Sequence, residues 1–305
     1  MSKLEVPEVD YERYSNRQLA AVPLAVLAVA LVVLLALYVT TGSPVPLGID
    51  FTGGTELTVQ TNTPSGEIGA AFDVEPENIQ QTVQADGGSS GGQYIVTFAN
   101  TGDEVNGSAL ADQARQNLEP TCSNAENCEV VQSRQSTTPR FAGTSQQTAV
   151  IGLGAAFLGM SVLAFALFRT FVPSLAIVVS AFSDIVIPLA IMGLVGIKLS
   201  LGTVAALLML IGYSVDSDIL LNNHILRREG GFYESTHRAM QTGVTMTLTS
   251  LSAMAVMAVT AWLFGIELMA SIGIVLVLGL ATDLMNTYMM NLSLLRWYKL
   301  GEVSD

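Results

Sequence analysis

Six long apolar runs divide the chain, and each can cross a membrane as a helix, which takes about 20 residues. Half of the 305 residues are hydrophobic and only 13% are charged, a composition typical of an integral membrane protein. The first run is longer than the apolar core of a signal peptide, so we expect it to be a membrane anchor. The sequence therefore predicts an α-helical polytopic membrane protein with six transmembrane helices, at residues 19–40, 149–168, 171–195, 199–226, 242–263 and 268–295.

The distribution of Lys and Arg predicts how the chain is oriented. Nine of the thirteen basic residues flank the runs on one side, and three of the other four lie in the long segment 41–148. Because basic flanks stay in the cytoplasm, we expect the N-terminal tail (1–18) and the C-terminal tail (296–305) there. Helices 2–6 occupy residues 149–295, and segment 41–148 is then extracytoplasmic.

Segment 41–148 is strongly acidic, with 13 Asp or Glu against three basic residues, and it carries most of the net charge of −13. Such a surface argues against nucleic acid as a partner, since phosphate contacts need basic side chains. Self-repulsion of this size is tolerable where high salt screens it. The composition therefore favours a salt-adapted protein.

The same segment has the pattern of a small α+β domain. Alternating apolar residues predict strands at 55–61, 79–85, 93–99 and 129–133, with helices at 65–72 and 108–118. The order βαββαβ is that of a ferredoxin-like split βαβ sandwich. Cys122 and Cys128 either close a small disulfide loop or remain free thiols. A zinc site is disfavoured because neither histidine lies on this side of the membrane.

Four carboxylates interrupt the spans, namely Asp184, Asp216, Asp218 and Asp283. Counting from the nearest cytoplasmic basic residue places Asp184, Asp216 and Asp283 about 22, 16 and 20 Å along their helices, near the middle of a core about 30 Å thick. Ionisable groups at such depth normally face a polar cavity, a partner group or an ion path. We interpret the set as a proton or cation relay. The alternative is that one or two of them, protonated, only hydrogen-bond neighbouring helices.

Helical spacing suggests how these carboxylates are surrounded. Asp216 and Asp218 are about 200° apart around a helix, so only one of them can line the conduit, and which one remains open. The other should hydrogen-bond a neighbour four residues away. Residues three and four positions after Asp283 share its face of the helix. The expected neighbours of the relay are Tyr213, Ser214, Asn222, Asn286 and Thr287.

Several motifs together resemble the SecD/SecF family of protein-export membrane subunits, which is similar to the resistance-nodulation-division transporters. The first motif is Gly48-Ile-Asp-Phe-Thr-Gly-Gly54, which follows the first span and whose matching residues are Gly48, Asp50, Phe51, Gly53 and Gly54. The others lie in spans 3, 4 and 5: Ser183-Asp184-Ile-Val-Ile, Ile211-Gly-Tyr-Ser-Val-Asp-Ser-Asp and Thr247-Leu-Thr-Ser-Leu251. The resemblance covers nearly the whole length.

The resemblance implies a SecF-type subunit that, with SecD, couples the proton-motive force to late steps of Sec-dependent export across the cytoplasmic membrane. It implies SecD, a SecY/SecE-type translocation channel, the translocating polypeptide and lipid as partners, with no enzymatic activity, cofactor or metal. Asp216 matches the Val-Asp-Ala-Asn register of SecD, whereas bacterial SecF proteins carry their acid where Ser217 stands. With the acidic composition, this difference favours an archaeal member. The coupling ion is then either H⁺ or Na⁺.

Two other classes of protein remain as alternatives. One six-helix unit with one exterior domain also resembles half of a small-molecule exporter of the resistance-nodulation-division type. An intramembrane aspartyl protease would pair Asp216 with Asp283, because two carboxylates that share a proton can activate water. The sequence lacks the Tyr-Asp and Gly-x-Gly-Asp pairs of that protease family, so we favour protein export.

Overall fold

The computed structural model describes residues 13–82, 92–99, 107–121, 129–227, 231–264 and 266–301. Within these ranges six helical spans are long and apolar enough to cross a membrane, which confirms the predicted number. They are α1 (Asn16–Thr41), α5 (Pro139–Phe168), α6 (Phe171–Val195), α7 (Leu201–Arg227), α8 (Phe232–Leu263) and a composite sixth span. The sixth span comprises α9 (Glu267–Met285), a π-helical segment (Asn286–Asn291) and α10 (Leu292–Gly301).

Two of the six helices extend well beyond their apolar runs. α5 begins at Pro139 and α8 at Phe232, each ten residues before the apolar run that predicts it. In both helices the added residues are mostly polar. Hydropathy marks only the part of a helix that is apolar enough for lipid, so it cannot find a polar extension.

The chain divides into two compact units. The membrane unit comprises Met1–Pro46, Val150–Ala258 and Leu268–Asp305, and the α+β unit comprises Leu47–Ala149 and Val259–Glu267.

α6 lies at the centre of the membrane unit, packed against α1, α7 and the π-helical segment. About two thirds of its most apolar stretch is buried, compared with about a tenth for α5. α7 and α9 approach closely because Gly279 has no side chain, and a Cβ there would overlap the side chain of the fully buried Leu210. Small residues at such positions let membrane helices pack backbone to backbone.

The described residues of the α+β unit form a four-stranded antiparallel sheet. Its strands are β1 (Gly54–Thr61), β2 (Asn78–Thr82), β3 (Gly92–Phe98) and β4 (Val131–Thr137), in the spatial order β2-β3-β1-β4. The connections carry α3 (Ser65–Ile68), which continues as a 3-10 turn at Gly69–Ala71, and α4 (Gly107–Asn117). The order and the antiparallel pairing are those of the predicted ferredoxin-like βαββαβ sandwich.

The core of the α+β unit lies between the sheet and its helices. Leu57 and Val59 of β1 and Val96 and Phe98 of β3 are fully buried, together with Ala114 of α4. β4 begins two residues and ends four residues later than the predicted strand 129–133, and its pairing with β1 is irregular between Thr58 and Val59. Positions 83–85 of the predicted second strand, and Cys122 and Cys128 with their predicted disulfide or free thiols, lie outside the described residues.

The glycine motif before β1 forms a tight turn. Gly48 precedes the short helix α2 (Ile49–Thr52), in which Phe51 is buried. Asp50 accepts a hydrogen bond of 3.1 Å from Gln135 Nε2 of β4. Gly53 and Gly54 have φ values of 76° and 124°, which residues with a Cβ rarely adopt. The backbone conformation therefore favours glycine at both final positions of the motif.

Candidate functional site

Three carboxylates among the described residues of the membrane unit are buried. Asp184 of α6, Asp218 of α7 and Asp283 of α9 each expose no more than 1% of their surface. Hydroxyl and amide side chains donate hydrogen bonds to these carboxylates, and Thr287 lies within reach of two of them. We call the carboxylates and their donors the carboxylate cluster: Asp184, Asp218, Asp283, Ser214, Ser217, Asn286, Thr287 and Asn291. Three helices that are far apart in sequence therefore contribute to one polar site.

Asp184 is held by donors from two other elements. Ser214 Oγ of α7 donates to its Oδ2 at 2.6 Å, and Asn286 Nδ2 of the π-helical segment donates to its Oδ1 at 2.6 Å. The sequence predicted different partners for both donors, because helical spacing put Ser214 beside Asp218 and Asn286 beside Asp283. Both reach Asp184 instead, since the spacing rule considers one helix alone and α6 packs directly against their elements.

Asp283 receives its hydrogen bonds from two hydroxyl groups. Ser217 Oγ lies 2.9 Å from each of its two carboxylate oxygens. Thr287 Oγ1 lies 3.3 Å from Asp283 Oδ1, as its spacing of four residues predicted. The two hydroxyl oxygens are 3.4 Å apart, so each can also bond to the other.

Among the described residues, the hydrogen bonds of regular geometry to Asp218 reach one of its two carboxylate oxygens. Its Oδ1 accepts from Thr287 Oγ1 at 2.8 Å and from Asn291 Nδ2 at 2.8 Å. Asn222 does not reach this carboxylate, because its Nδ2 donates to the backbone oxygen of Asp218 at 2.9 Å. Thr287 therefore lies between Asp218 and Asp283, with a single proton to donate to one or the other.

The π-helical segment explains how one short stretch supplies three donors. Asn286 and Asn291 would lie about 140° apart on a regular α-helix and could not both face the carboxylates. A π-helix bonds residues five apart, which brings these two side chains nearer to one line. Such segments are frequent at functional sites, because they re-aim side chains without ending the helix.

The cluster has no cationic partner among the described residues. The ion pairs found there all lie elsewhere, on exposed side chains such as Arg115 and Arg238. Three negative charges buried together without a cation would be very costly. The arrangement can therefore take up and release positive charge, either protons or cations. Within the described residues, no group of three His, Cys, Asp or Glu side chains is arranged to hold a metal ion.

Asp216 does not join the cluster. It is exposed on the membrane unit, whereas Asp218, two residues later on α7, is fully buried. The nearby Tyr213, predicted as a relay neighbour, is also exposed, at 37%. The two carboxylates thus lie on different faces of α7, as their spacing predicted, and the buried one is Asp218.

The protease alternative required Asp216 and Asp283 to form a pair. The structure separates them, because Asp283 is buried against Ser217 and Thr287 while Asp216 points away from the cluster. The described residues therefore do not form the carboxylate pair on which that alternative depends.

Two residues of the cluster, Ser217 and Asn291, were not predicted from the sequence. Ser217 entered only as the position at which bacterial SecF proteins carry their acid. A polar side chain deep in an apolar run is itself a signal, and Asn291 has that property. Its bond to Asp218 could not be predicted, because it depends on the π-helical segment.

Together, the fold and the site define a class: multi-pass membrane proteins with an α+β domain after the first span and a carboxylate cluster among the later spans. The family model of the SecD/SecF protein-export membrane protein C-terminal region matches residues 118–301. The model of the SecD/SecF GG motif matches residues 38–65, which include the glycine turn. The chain belongs to the SecD/SecF family of protein-export membrane proteins.

Individual relatives agree with this assignment over the full length. Protein-export membrane protein SecF of Haloferax volcanii is 60% identical over 304 residues, covering 100% of both chains. The protein of the same name from Haloquadratum walsbyi is 58% identical, also over 100% of both chains. SecF of Pyrococcus furiosus is 38% identical over 90% of this chain and 88% of its own length. These relatives support the prediction of an archaeal, salt-adapted protein.

A solved structure shows the same fold. The crystal structure of SecDF, a translocon-associated membrane protein from Thermus thermophilus, superimposes with a TM-score of 0.72 over 97% of this chain. The sequence identity is 19%, so the likeness concerns the fold alone. The chain corresponds to 39% of the length of that SecDF chain.

Proposed function

We propose that the chain is the SecF subunit of a SecD–SecF complex, which couples an ion gradient, the proton-motive force, to late steps of Sec-dependent protein export. The observation that carries this proposal is the carboxylate cluster, in which Asp184, Asp218 and Asp283 are buried together without a cationic partner among the described residues. Buried carboxylates within membrane helices are a recurrent feature of ion and proton paths. The proposed relay consists of these three residues.

The hydrogen bonds of the cluster suggest how charge is coupled to helix movement. Thr287 has one proton to donate, and it is within reach of both Asp218 on α7 and Asp283 on α9. Adding a proton to either carboxylate makes the other the better acceptor, so the hydroxyl changes partner. Each change alters the contacts between α7 and the sixth span. The relay thereby links ion uptake to the relative position of two helices.

The outward face of α7 supports a partner within the membrane. Asp216 is exposed there, and a carboxylate facing lipid costs about 2.5–3.5 kcal/mol on insertion scales. Gly212 leaves open space beside it, since a Cβ there would meet nothing within 4 Å. We assign this face to contact with SecD, whose helices would cover the carboxylate.

The proposed orientation places the termini in the cytoplasm and the α+β unit outside. This orientation is supported by the excess of Lys and Arg on one side of the spans, because basic flanks stay in the cytoplasm. From there the α+β unit contacts the polypeptide emerging from a SecY/SecE-type channel. Membership in the SecD/SecF family supports protein export over small-molecule export.

The test replaces Asp218 by Asn in a strain whose only SecF is the variant, and follows a secreted protein by pulse-chase. Asp218→Asn keeps the shape of the side chain but cannot take up a proton, so export should fall by at least about tenfold. Asn223→Ala, an exposed neighbour on the same helix, is the matched control. Immunoblotting and co-purification of SecD verify that both variants reach the membrane and assemble. Export at the wild-type rate by Asp218→Asn would remove the cluster from the mechanism.

A further inference from the structure

The three carboxylates of the cluster are closed off from solvent in this structure. Each of them exposes no more than 1% of its surface. An ion relay has to exchange ions with water, so some part of the structure around the cluster must move before the relay can work. The side chains that lie between the cluster and each end of the membrane unit show which part this is.

An apolar layer lies between the cluster and the end of the membrane unit at which α1 ends. Its buried members come from α6, α7, α9 and the segment that follows α1, namely Val45, Met192, Ala206, Leu207, Val275 and Leu276. At 1.5 Å per residue, the members on the three helices lie about 10–16 Å along their helices from the carboxylate of the same helix. All three distances run toward the same end, so this layer closes the cluster on that side.

Val45 differs from the other members of the layer because it does not lie on a helix. It belongs to residues 42–46, which we call the strap and which connect α1 to the α+β unit. Its side chain is buried, with 2% exposed. Pro44 and Pro46 flank it, and their rings fix the backbone torsion angle φ on both sides. The strap is therefore stiff, and Val45 moves together with it.

Two contacts hold the strap against the helices. The backbone oxygen of Pro46 accepts a hydrogen bond of 2.7 Å from the backbone nitrogen of Leu199, just before α7. Gly193 of α6 leaves room for the strap, since a Cβ there would lie 3.0 Å from the backbone oxygen of Pro44. These contacts leave every helix intact when they break, so the strap can withdraw without a helix moving.

The apolar layer on the opposite side of the cluster is built differently. Its buried members include Leu221 and Ile225 of α7 and Leu292 and Leu295 of α10, and every described member lies on a helix. Opening that side requires helices to separate. Opening the first side requires only that the strap withdraws, which makes the strap the more easily moved part of the enclosure.

We propose that Val45 is a gate, which keeps water and the coupling ion away from the carboxylate cluster until the strap withdraws. Apolar constrictions exclude water by dewetting, so one valine in such a layer can close a path. The strap continues directly into the α+β unit, so a pull on that unit withdraws Val45. This inference rests on the proposed function and deepens it by naming the residue that opens the relay.

The first experiment tests whether Val45 excludes water. Val45→Thr keeps the shape of the side chain but adds a hydroxyl. In the purified full-length protein in lipid nanodiscs, hydroxyl radicals produced from water oxidise a methionine only where water is close. Met192 is fully buried, so its oxidation should be low in the wild type. It should rise by about tenfold in Val45→Thr, because a hydroxyl without a partner disfavours the dry arrangement. Val45→Ile stays apolar and should match the wild type.

The second experiment tests whether the strap must move during export. In a chain whose Cys122 and Cys128 are replaced by Ser, the variants Pro44→Cys and Gly193→Cys are combined and joined by a short, reducible thiol cross-linker. Export of a secreted protein, followed by pulse-chase, should stop when the link forms and return when a reductant cleaves it. Chains with only one of the two cysteines receive the same cross-linker and should export throughout. A strap that serves only as an anchor would lose nothing by being linked.

The outcomes separate the gate from the proposed function. Unchanged oxidation of Met192 in folded Val45→Thr overturns the gate, and so does full export by the linked chain. If Val45→Thr does not fold, the linked chain decides alone. If Asp218→Asn stops export while the linked chain exports normally, the relay stands and only the gate fails. If Asp218→Asn exports normally, the proposed function fails, and the oxidation of Met192 still decides whether Val45 excludes water.

Discussion

The two faces of α7 each carry an aspartate, but one face is buried and the other is exposed. One face carries Ser214 and Asp218, both fully buried and both bonded to other helices. The other carries Gly212, Tyr213 and Asp216, which are exposed on the isolated chain. Two aspartates separated by one residue thus have opposite surroundings. The difference teaches that an acid within a membrane helix cannot be given a role until the face it occupies is known.

The largest effect on stability should come from adding a side chain at Gly279 of α9, which packs against Leu210 of α7. Gly279→Leu places a side chain where Leu210 already fills the space, and overpacking should destabilise the membrane unit by about 3 kcal/mol. Thermal unfolding of the purified protein measures the change. Gly212→Leu, on the outward face with open space, is the matched control and should stay within about 0.5 kcal/mol. If the two variants lost the same free energy of unfolding, the outward face of α7 at Gly212 would be packed in the isolated chain as well.

A smaller effect should follow from removing one donor of the cluster. Ser217→Ala removes the hydroxyl that lies within hydrogen-bond distance of both oxygens of Asp283. Losing this donor should lower the free energy of unfolding by about 1.5 kcal/mol. Tyr213→Phe removes a hydroxyl from the exposed face and should leave the unfolding temperature unchanged. Ser217→Ala should also slow export, and Ser217→Thr should restore it, because the hydroxyl returns. Failure of the threonine to rescue would show that Ser217 acts by its size rather than by its proton.

The smallest effect on the isolated chain should come from the exposed carboxylate. Asp216→Asn should change the free energy of unfolding by less than about 0.5 kcal/mol, as is usual for an exposed site. Its effect should appear instead as less SecD recovered by co-purification, since the proposed interface loses a polar contact. Loss of export by Asp216→Asn with SecD still fully bound would add Asp216 to the relay and contradict the separation of the two faces.

Much of the architecture could be predicted from the chain alone. The six spans follow from apolar runs, and the βαββαβ order of the α+β unit follows from alternating residues and turns. The depth count grouped Asp184 and Asp283 with Asp216 of α7, whereas the α7 acid buried with them is Asp218 and Asp216 is exposed. The N-terminal ends of α5 and α8 were not predicted correctly, because a helix can continue in polar sequence beyond the membrane.

The detailed bonding of the cluster could not be predicted in the same way. Ser214 and Asn286 bond Asp184 rather than the acids nearest to them in sequence. Asn291 reaches Asp218 only because the sixth span changes to a π-helix for six residues. The apolar pattern of the sixth span continues through this segment, so hydropathy does not predict the change.

The sequence by itself determined which residues enter the membrane, how many spans there are and which ionisable groups they carry, because these properties depend on the local balance of apolar and polar side chains. Only the tertiary structure decided that Asp218 is buried with Asp184 and Asp283 while Asp216 is exposed. Rotation of α7 by half a turn would exchange the two acids without changing its hydropathy. The packing of α6, α7 and the π-helical segment selects one rotation, since it alone brings the donors to the buried carboxylates.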